Sequence, residues 1–351
     1  MTAFASASGY SITDLGMGGA SSASPMCINN AGQAVANFGG NSYFYSGGTL
    51  TAVPGITGSV AVNAMALGED GTVVGSTTLS NGAYRPFKSL GGTTTALQVL
   101  EGDPGLYASA NAINASGTIV GRTNQYTPHL FFDQPVTWSG STITQQLPKL
   151  NFVDSGSANG INSSGVVVGN IDSAMYPNQV GAIWTNGHLA TVPYFGGDYT
   201  DSRALGILDD GTVLVSQYAF FGDGSTRATL LKNGSYTDLG DLGGGSAYAN
   251  GMNNLGTVVG TSLLANSSMA SFLWTSTSGM INLSAQVVGS TYSSFSAYDV
   301  NDSGQIIGLA QLAGSGVYRS IILTPQAVPE PASLAALGLG AVALLRRRRK
   351  V

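Results

Sequence analysis

Ala249-Asn250-Gly251-Met252-Asn253-Asn254-Leu255-Gly256-Thr257-Val258-Val259-Gly260 decides the fold, because its pattern occurs seven times between positions 23 and 308. Each copy has an apolar residue, Asn or a substitute, two variable residues, Gly, one residue, two apolar residues and usually a closing Gly. The copies are Ile28-Asn29-Asn30-Ala31-Gly32, Leu67-Gly68-Glu69-Asp70-Gly71, Ile113-Asn114-Ala115-Ser116-Gly117, Ile161-Asn162-Ser163-Ser164-Gly165, Ile207-Leu208-Asp209-Asp210-Gly211, Met252-Asn253-Asn254-Leu255-Gly256 and Val300-Asn301-Asp302-Ser303-Gly304. The marker glycines are spaced by 39, 46, 48, 46, 45 and 48 residues. Spacings of this size indicate a solenoid or a propeller. Asn at the head of a tight turn accepts a backbone hydrogen bond, and Gly supplies the positive φ that closes a hairpin. The β-branched pairs that follow, such as Val167-Val168 and Ile306-Ile307, favour strands.

A third strand is expected at Tyr43-Phe44-Tyr45, Pro86-Phe87, Pro135 to Trp138, Ala182 to Trp184, Ala228 to Leu231, Phe272 to Trp274 and Ser320 to Leu323. Short turns such as Thr185-Asn186-Gly187 lead to a fourth, at Leu50 to Val53, Leu97 to Leu100, Ile143 to Leu147, Leu189 to Val192, Tyr236 to Leu239 and Ile281 to Leu283. Four strands per unit of about 45 residues make a propeller blade. The seventh unit lacks a fourth strand. The chain begins with an orphan strand, Tyr10-Ser11-Ile12-Thr13-Asp14-Leu15-Gly16, whose ending matches Tyr236-Thr237-Asp238-Leu239-Gly240. The expected fold is therefore all-β, a seven-bladed β-propeller over residues 10–325 closed by the N-terminal strand, with a short C-terminal apolar helix.

Composition agrees with an exported sheet protein. Gly makes up 50 of 351 residues and charged side chains 9%, where about 7% and a quarter are usual. The net charge of −5 hides an asymmetry. Five of the thirteen basic residues form a terminal cluster, and without them eight basic residues face eighteen acidic ones, a net of −10. Such a body offers no footprint for phosphate backbones, so nucleic acid is not an expected partner. Cys27, the single cysteine, excludes an intrachain disulfide framework and reads as a small buried hydrophobe.

No catalytic constellation is visible, and no cofactor or metal site is expected. His129 and His188 lie in different units, and no Gly-x-Ser-x-Gly, His-Glu-x-x-His or Walker loop occurs. The carboxylate pairs Glu69-Asp70, Asp209-Asp210, Asp299 with Asp302 and Asp198 with Asp201 read as turn chemistry. The turns should project on one rim, where their oxygens could bind Ca²⁺ weakly. Trp138, Trp184 and Trp274 recur at the end of the third strand and are expected to pack between blades. Tyr126, Tyr176, Tyr194, Tyr199 and Tyr218 lie in longer connections, the positions from which rigid scaffolds bind ligands.

The C-terminus reads Val328-Pro329-Glu330-Pro331, an apolar run from Ala332 to Leu345 broken by Ser333, then Arg346, Arg347, Arg348, Arg349 and Lys350. Fourteen helical residues span about 21 Å, short for a hydrocarbon core near 30 Å. Snorkelling arginines would let the segment insert, with the basic end on the cytoplasmic side. This three-part tail resembles the PEP-CTERM sorting signal of Gram-negative bacteria. That resemblance implies membrane insertion, processing by an exosortase-type enzyme, and export to the cell surface or extracellular space, often in association with extracellular polysaccharide. Residues 326–351 are thus the expected sorting segment. Residues 1–9 lack a full export leader, but Ala3-Phe4-Ala5-Ser6-Ala7 is similar to the cleavage end of one. They are read as the remnant of an export signal, with the apolar part upstream of Met1, or as disordered.

The units resemble the HAF repeat of bacterial extracellular proteins, a Leu-Gly-Gly turn before the Ala-x-x-Ile-Asn-x-x-Gly-x-Val-Val-Gly hairpin and a Phe-Leu-Trp strand. The best copy runs from Asp238-Leu239-Gly240-Asp241-Leu242-Gly243-Gly244 through Met252-Asn253 and Val258-Val259-Gly260 to Ser271-Phe272-Leu273-Trp274. Other copies are looser: Ala36 replaces the closing Gly in the first, and Leu208 replaces Asn in the fifth. This resemblance implies an exported repeat protein and carries no reaction. The expected function is a non-catalytic structural or binding component of the cell surface or extracellular matrix. The alternative is a polysaccharide-active propeller enzyme, lyase or hydrolase, and a protein-interaction hub is a third reading.

Overall fold

The computed structural model describes residues 9–16, 24–102, 105, 107–127, 130–152, 154–172, 179–196, 199–219, 223–287 and 291–326. They form seven four-stranded antiparallel sheets. From the axis outward, blade one runs Ser24–Ile28, Ala34–Phe38, Asn41–Ser46 and Thr49–Ala52, and the next five blades repeat this order. The innermost strands of the other blades are Ser59–Leu67, Ser109–Ile113, Ser155–Ile161, Asp201–Ile207, Gly243–Met252 and Tyr292–Val300. Blade seven takes its outermost strand from the other end of the chain. Tyr10–Asp14 pairs with Tyr318–Pro325 in the register Tyr10 to Pro325 through Asp14 to Ile321. The seam continues on both sides, with Leu15 N–H donating to Ser320 O at 3.0 Å and Gln326 N–H to Gly9 O at 2.9 Å. The parallel with Tyr236 to Gly240 is detailed: Asp14 and Asp238 accept the N–H of Gly16 and Gly240 at 2.8 and 2.9 Å.

The hairpin turns form as the Asn-x-x-Gly pattern requires. In blade six, Gly256 N–H donates to Asn253 O and Asn253 N–H to Thr257 O, at 3.0 and 3.1 Å. Gly256 takes φ 76°, and the other six marker glycines lie between 72° and 85°. This is a type I turn closed by a left-handed glycine. Where Asn is replaced by Gly68 or Leu208, Asp two positions later takes over, with Thr72 and Thr212 donating to Asp70 and Asp210 at 2.9 Å.

Every innermost strand also carries a one-residue bulge, at Met26, Met65, Asn111, Asn159, Leu205, Asn250 and Tyr298. The extra residue bends the strand and drives its backbone against the closing Gly of the Val-Val-Gly pattern. A Cβ on Gly169 would lie 1.9 Å from Ser157 O, and one on Gly121 2.1 Å from Ser109 O. Blades one and five carry Ala36 and Val215 at that position, so their inner strands leave room for a side chain.

The core lies between blades. Trp138 packs with Val74 and Leu97 of the preceding blade, Trp184 with Val120 and Leu147, and Trp274 with Leu214 and Leu239. Each removes roughly 200 Å² from water, worth about 5 kcal/mol before entropic costs. One strand expectation needs correction. The fourth strand of blade two is Thr93–Ala96, ahead of the expected Leu97 to Leu100. Gly91 and Gly92, at φ 57° and 80°, reverse the chain at once, and Leu97 is then free to plug the core. The described residues also include one short helix, Ser284–Val287. None of their helices is long and apolar enough to cross a membrane. The expected apolar helix at 332–345 and the sorting segment from 327 onward lie outside the described residues, as do residues 1–8.

Candidate binding face and central channel

Antiparallel connectivity sorts the loops onto two rims. The Asn-x-x-Gly turns and the third-to-fourth strand turns occupy one, here the turn rim. The second-to-third strand turns and the connections between blades occupy the other, the loop face. Both Gly9 and Gln326 sit on the turn rim, held together by their hydrogen bond.

On the turn rim the Asn side chains do more than shape turns. Asn114 Nδ2 donates to Asn162 O, Asn162 to Leu208 O, Asn253 to Asn301 O, Asn301 to Asn29 O and Asn29 to Gly68 O, at 2.8–3.2 Å. Each turn is thus fastened to the next blade, with gaps only where Gly68 and Leu208 lack the amide. A second ring runs one residue further on: Asn30 N–H donates to Glu69, Ser163 N–H to Asp209, Asn254 N–H to Asp302 and Asp302 N–H to Asn30. Glu69, Asp209 and Asp302 therefore brace the rim. Asp210 pairs with Lys232, and this hydrogen bond, reinforced by Thr212, holds its carboxyl down at about 2. Among the described residues no three His, Cys, Asp or Glu side chains stand close enough together to hold a metal ion.

Asp299 departs from its expected turn role. It lies inside the innermost strand of blade seven, on the wall of a central cavity of about 340 Å³ formed by the seven inner strands. Oδ2 accepts the N–H of Ile28 across the blade seven to blade one junction at 3.0 Å, and Oδ1 that of Val300 at 2.9 Å. Burial pushes its pKa up to about 7 against these hydrogen bonds, with the Glu69 carboxylate adding to the rise. The thiol of Cys27, on the same wall, is pushed up by burial and then by Asp299, which leaves it protonated and unreactive. A signal for Asp299 exists in the sequence: its column otherwise reads Cys27, Ala66, Ala112, Gly160, Gly206 and Gly251, so a carboxylate there must be buried among small residues.

The loop face carries the aromatics. Tyr84, Tyr107, Phe131, Phe152, Tyr194 and Tyr218, 38–64% exposed, follow one another through blades two to five. Blade six adds Tyr248, 41% exposed, at the loop-face end of its inner strand; among the described residues, no ring of such exposure lies on the loop face of blades seven or one. Phe152 meets the buried Phe132 edge-on at 5.1 Å, and Lys149 Nζ sits 3.9 Å from the Phe132 ring. Burial brings Lys149 down to about 8, against the pull of Asp154 and Asp133. The Arg122 guanidinium lies 5.9 Å from the Tyr107 ring and pairs with Asp133 at 2.7 Å, while Asn124 holds the other oxygen of Asp133. Further round, Phe195 packs between Tyr199 and Tyr236, and Arg227 joins Tyr199 Oη to Asp241. Rings flanked by fixed amide, carboxylate and guanidinium groups suit stacking and hydrogen bonding to an extended polar ligand.

Of the expected ligand tyrosines, Tyr194 and Tyr218 are exposed here, and Tyr199 is tied to Arg227 and Ser225. Tyr176, His129, Asp198 and the Tyr126 side chain lie outside the described residues. His188 opens the fourth strand of blade four on the turn rim, far from these rings. Sequence reasoning missed Tyr107, Phe131 and Phe152, whose common face becomes visible only once the loops are sorted.

In comparisons with known proteins, no curated protein matches the sequence. The chain is similar in fold to YCF48 bound to D1 peptide, at 13% identity over 92% of this chain and 96% of that one, TM-score 0.50. It is similar to a structure from a study of two prolyl endopeptidases at 10% identity, over 90% of this chain and 50% of that one, TM-score 0.51. At such identities these likenesses show the propeller alone. Residues 327–350 match the PEP-CTERM protein-sorting motif, which implies an exported protein, sorted to the surface through an exosortase.

Proposed function

We propose that this propeller is a non-catalytic binding component of the cell surface or extracellular matrix, built from HAF-type repeats and presented by its sorting tail. Val328, Pro329, Glu330 and Pro331 form the processing signal. The apolar run to Leu345 enters the inner membrane, and Arg346 to Lys350 stop it at the cytoplasmic side. The observation that carries the reading is the opposition of the two rims: the chain leaves for the tail from the turn rim beside Gly9, and the exposed aromatics crown the opposite face. While the tail holds the ring at the membrane, before processing, the aromatic face is directed outward. With a body this acidic, the partner is an uncharged or cationic polymer, for which extracellular polysaccharide is the fitting class.

The test is affinity electrophoresis of the full-length protein through gels containing matrix polysaccharide from the producing cells. Retardation with the polymer left intact supports the reading. Free migration contradicts it, and shortening of the polymer would assign the protein to polysaccharide lyases or hydrolases.

A further inference from the structure

One interface between blades lacks the side chain that fills it elsewhere. The residue opposite the first position of the second strand is Trp138, Trp184 and Trp274 in blades three, four and six, Leu231 and Leu323 in five and seven, and Tyr45 in one. In blade two it is Ser89, opposite Val73. A notch of about 350 Å³ opens at this point between blades one and two, floored by Phe44, Val53, Val73 and Ser89 and edged by Pro54, Gly91 and Gly92. The neighbouring Phe87 does not account for the missing ring, because blade six carries both Phe272 and Trp274 at the corresponding two positions.

The polar partner of the missing indole is also in place. Trp138 Nε1 donates to Gln98 O and Trp184 Nε1 to Pro148 O, both at 2.7 Å, each acceptor being the residue after the outermost strand's core plug in the preceding blade. The corresponding residue of blade one is Pro54, which follows Val53. Its oxygen accepts from Thr94 Oγ1 at 2.6 Å, and the same hydroxyl also lies 2.9 Å from Ser89 Oγ. A carbonyl oxygen has a second lone pair, so this acceptor remains available to a ring N–H.

We infer that the notch between blades one and two is a binding site for a small planar aromatic molecule of the indole class. The ring would lie on Val53, Val73 and Phe44 with its N–H directed at Pro54 O. An engineered apolar cavity of about 150 Å³ is enough to take up benzene, and this notch is larger. The fold itself shows the fit, since it places an indole ring at this register in three other blades. The site is independent of the aromatic loop face and lies toward the opposite rim.

Indole itself is the probe, added to the full-length protein and followed by saturation-transfer NMR and by the melting temperature. The wild type should bind with a Kd of about 1 mM or below and melt higher as indole is added. Ser89→Trp should fill the notch, raise the melting temperature without ligand and abolish the indole response. Ser89→Leu, which copies blades five and seven, should weaken the response at least tenfold and serves if the Trp variant does not fold. Ser89→Ala should retain it. The inference is overturned if indole leaves the wild type unchanged, or if the Trp and Leu variants bind as the wild type does. Preference for a tryptophan-containing peptide over free indole would likewise overturn it, by assigning the notch to a protein partner.

Discussion

Asn301 Nδ2 donates to the backbone oxygen of Asn29 at 2.9 Å, joining residues 272 positions apart. Its Oδ1 meanwhile accepts the N–H of Gln305 and Ser303 within its own turn, at 2.9 and 3.1 Å. One amide therefore shapes a hairpin and fastens the last blade to the first. Asn301→Asp keeps the acceptor, loses the donor and sets a carboxylate oxygen against two carbonyl-type oxygens. The expected loss is about 2–3 kcal/mol, a fall in melting temperature of about 3–5 °C for a fold of this length. Ser303→Ala, on the exposed side of the same turn, should change stability by less than about 0.5 kcal/mol. Calorimetry of the two variants decides between a closure bond and a purely local one.

Removing residues 10–16 takes away the fourth strand of blade seven and bares the edge of Tyr318–Pro325. An unpaired edge of that length recruits other chains. The deletion should yield oligomers or unfolded protein in sedimentation analysis. A monomer with unchanged melting would contradict closure by the N-terminal strand.

Asp299 links stability to pH. Its carboxyl titrates near 4 in the unfolded chain and at about 7 in the fold. Between these values the unfolded state gives up a proton that the folded state keeps, so stability falls as pH rises from 4 to 7 and is level above that. A rise of about three pKa units corresponds to about 4 kcal/mol, present in full below pH 4 and absent above pH 7. Asp299→Asn should flatten this part of the profile of melting temperature against pH, whatever its effect at any single pH. An unchanged slope would place the titration on another group.

On the loop face, Tyr107→Ala and Phe152→Ala should each weaken polysaccharide binding about fivefold to tenfold, the loss expected for one stacked ring at about 1 kcal/mol. Both rings are exposed, so melting should shift little. Met269→Ala, on the loop face of blade six outside the aromatic arc, should leave binding unchanged. Retardation in affinity gels reads all three.

The blades were legible because their signals are local. Asn-x-x-Gly encodes a turn within four residues, and the match of Tyr10 to Gly16 with Tyr236 to Gly240 exposed the closure. What stayed hidden depends on neighbours about 45 residues away. The amide of Asn162 reads as a turn residue until Leu208 O of the next blade is beside it. Asp299 reads as one of a turn pair until the bulge at Tyr298 sets it into the channel wall. Thr93–Ala96 was misplaced because the apolar run at Leu97 to Leu100 outweighed the Gly91-Gly92 reversal just before it. Tyr107, Phe131 and Phe152 share no motif and are gathered only by the order of the connections. The turns are thus a property of sequence, and the face is a property of closure.

The most direct test of the account is mass spectrometry of the C-terminus of the protein recovered from the cell surface and culture medium. Chains ending between Val328 and Pro331, without the Arg346 to Lys350 cluster, are the predicted result. Recovery of the protein in the cytoplasm, intact through Val351, would contradict it.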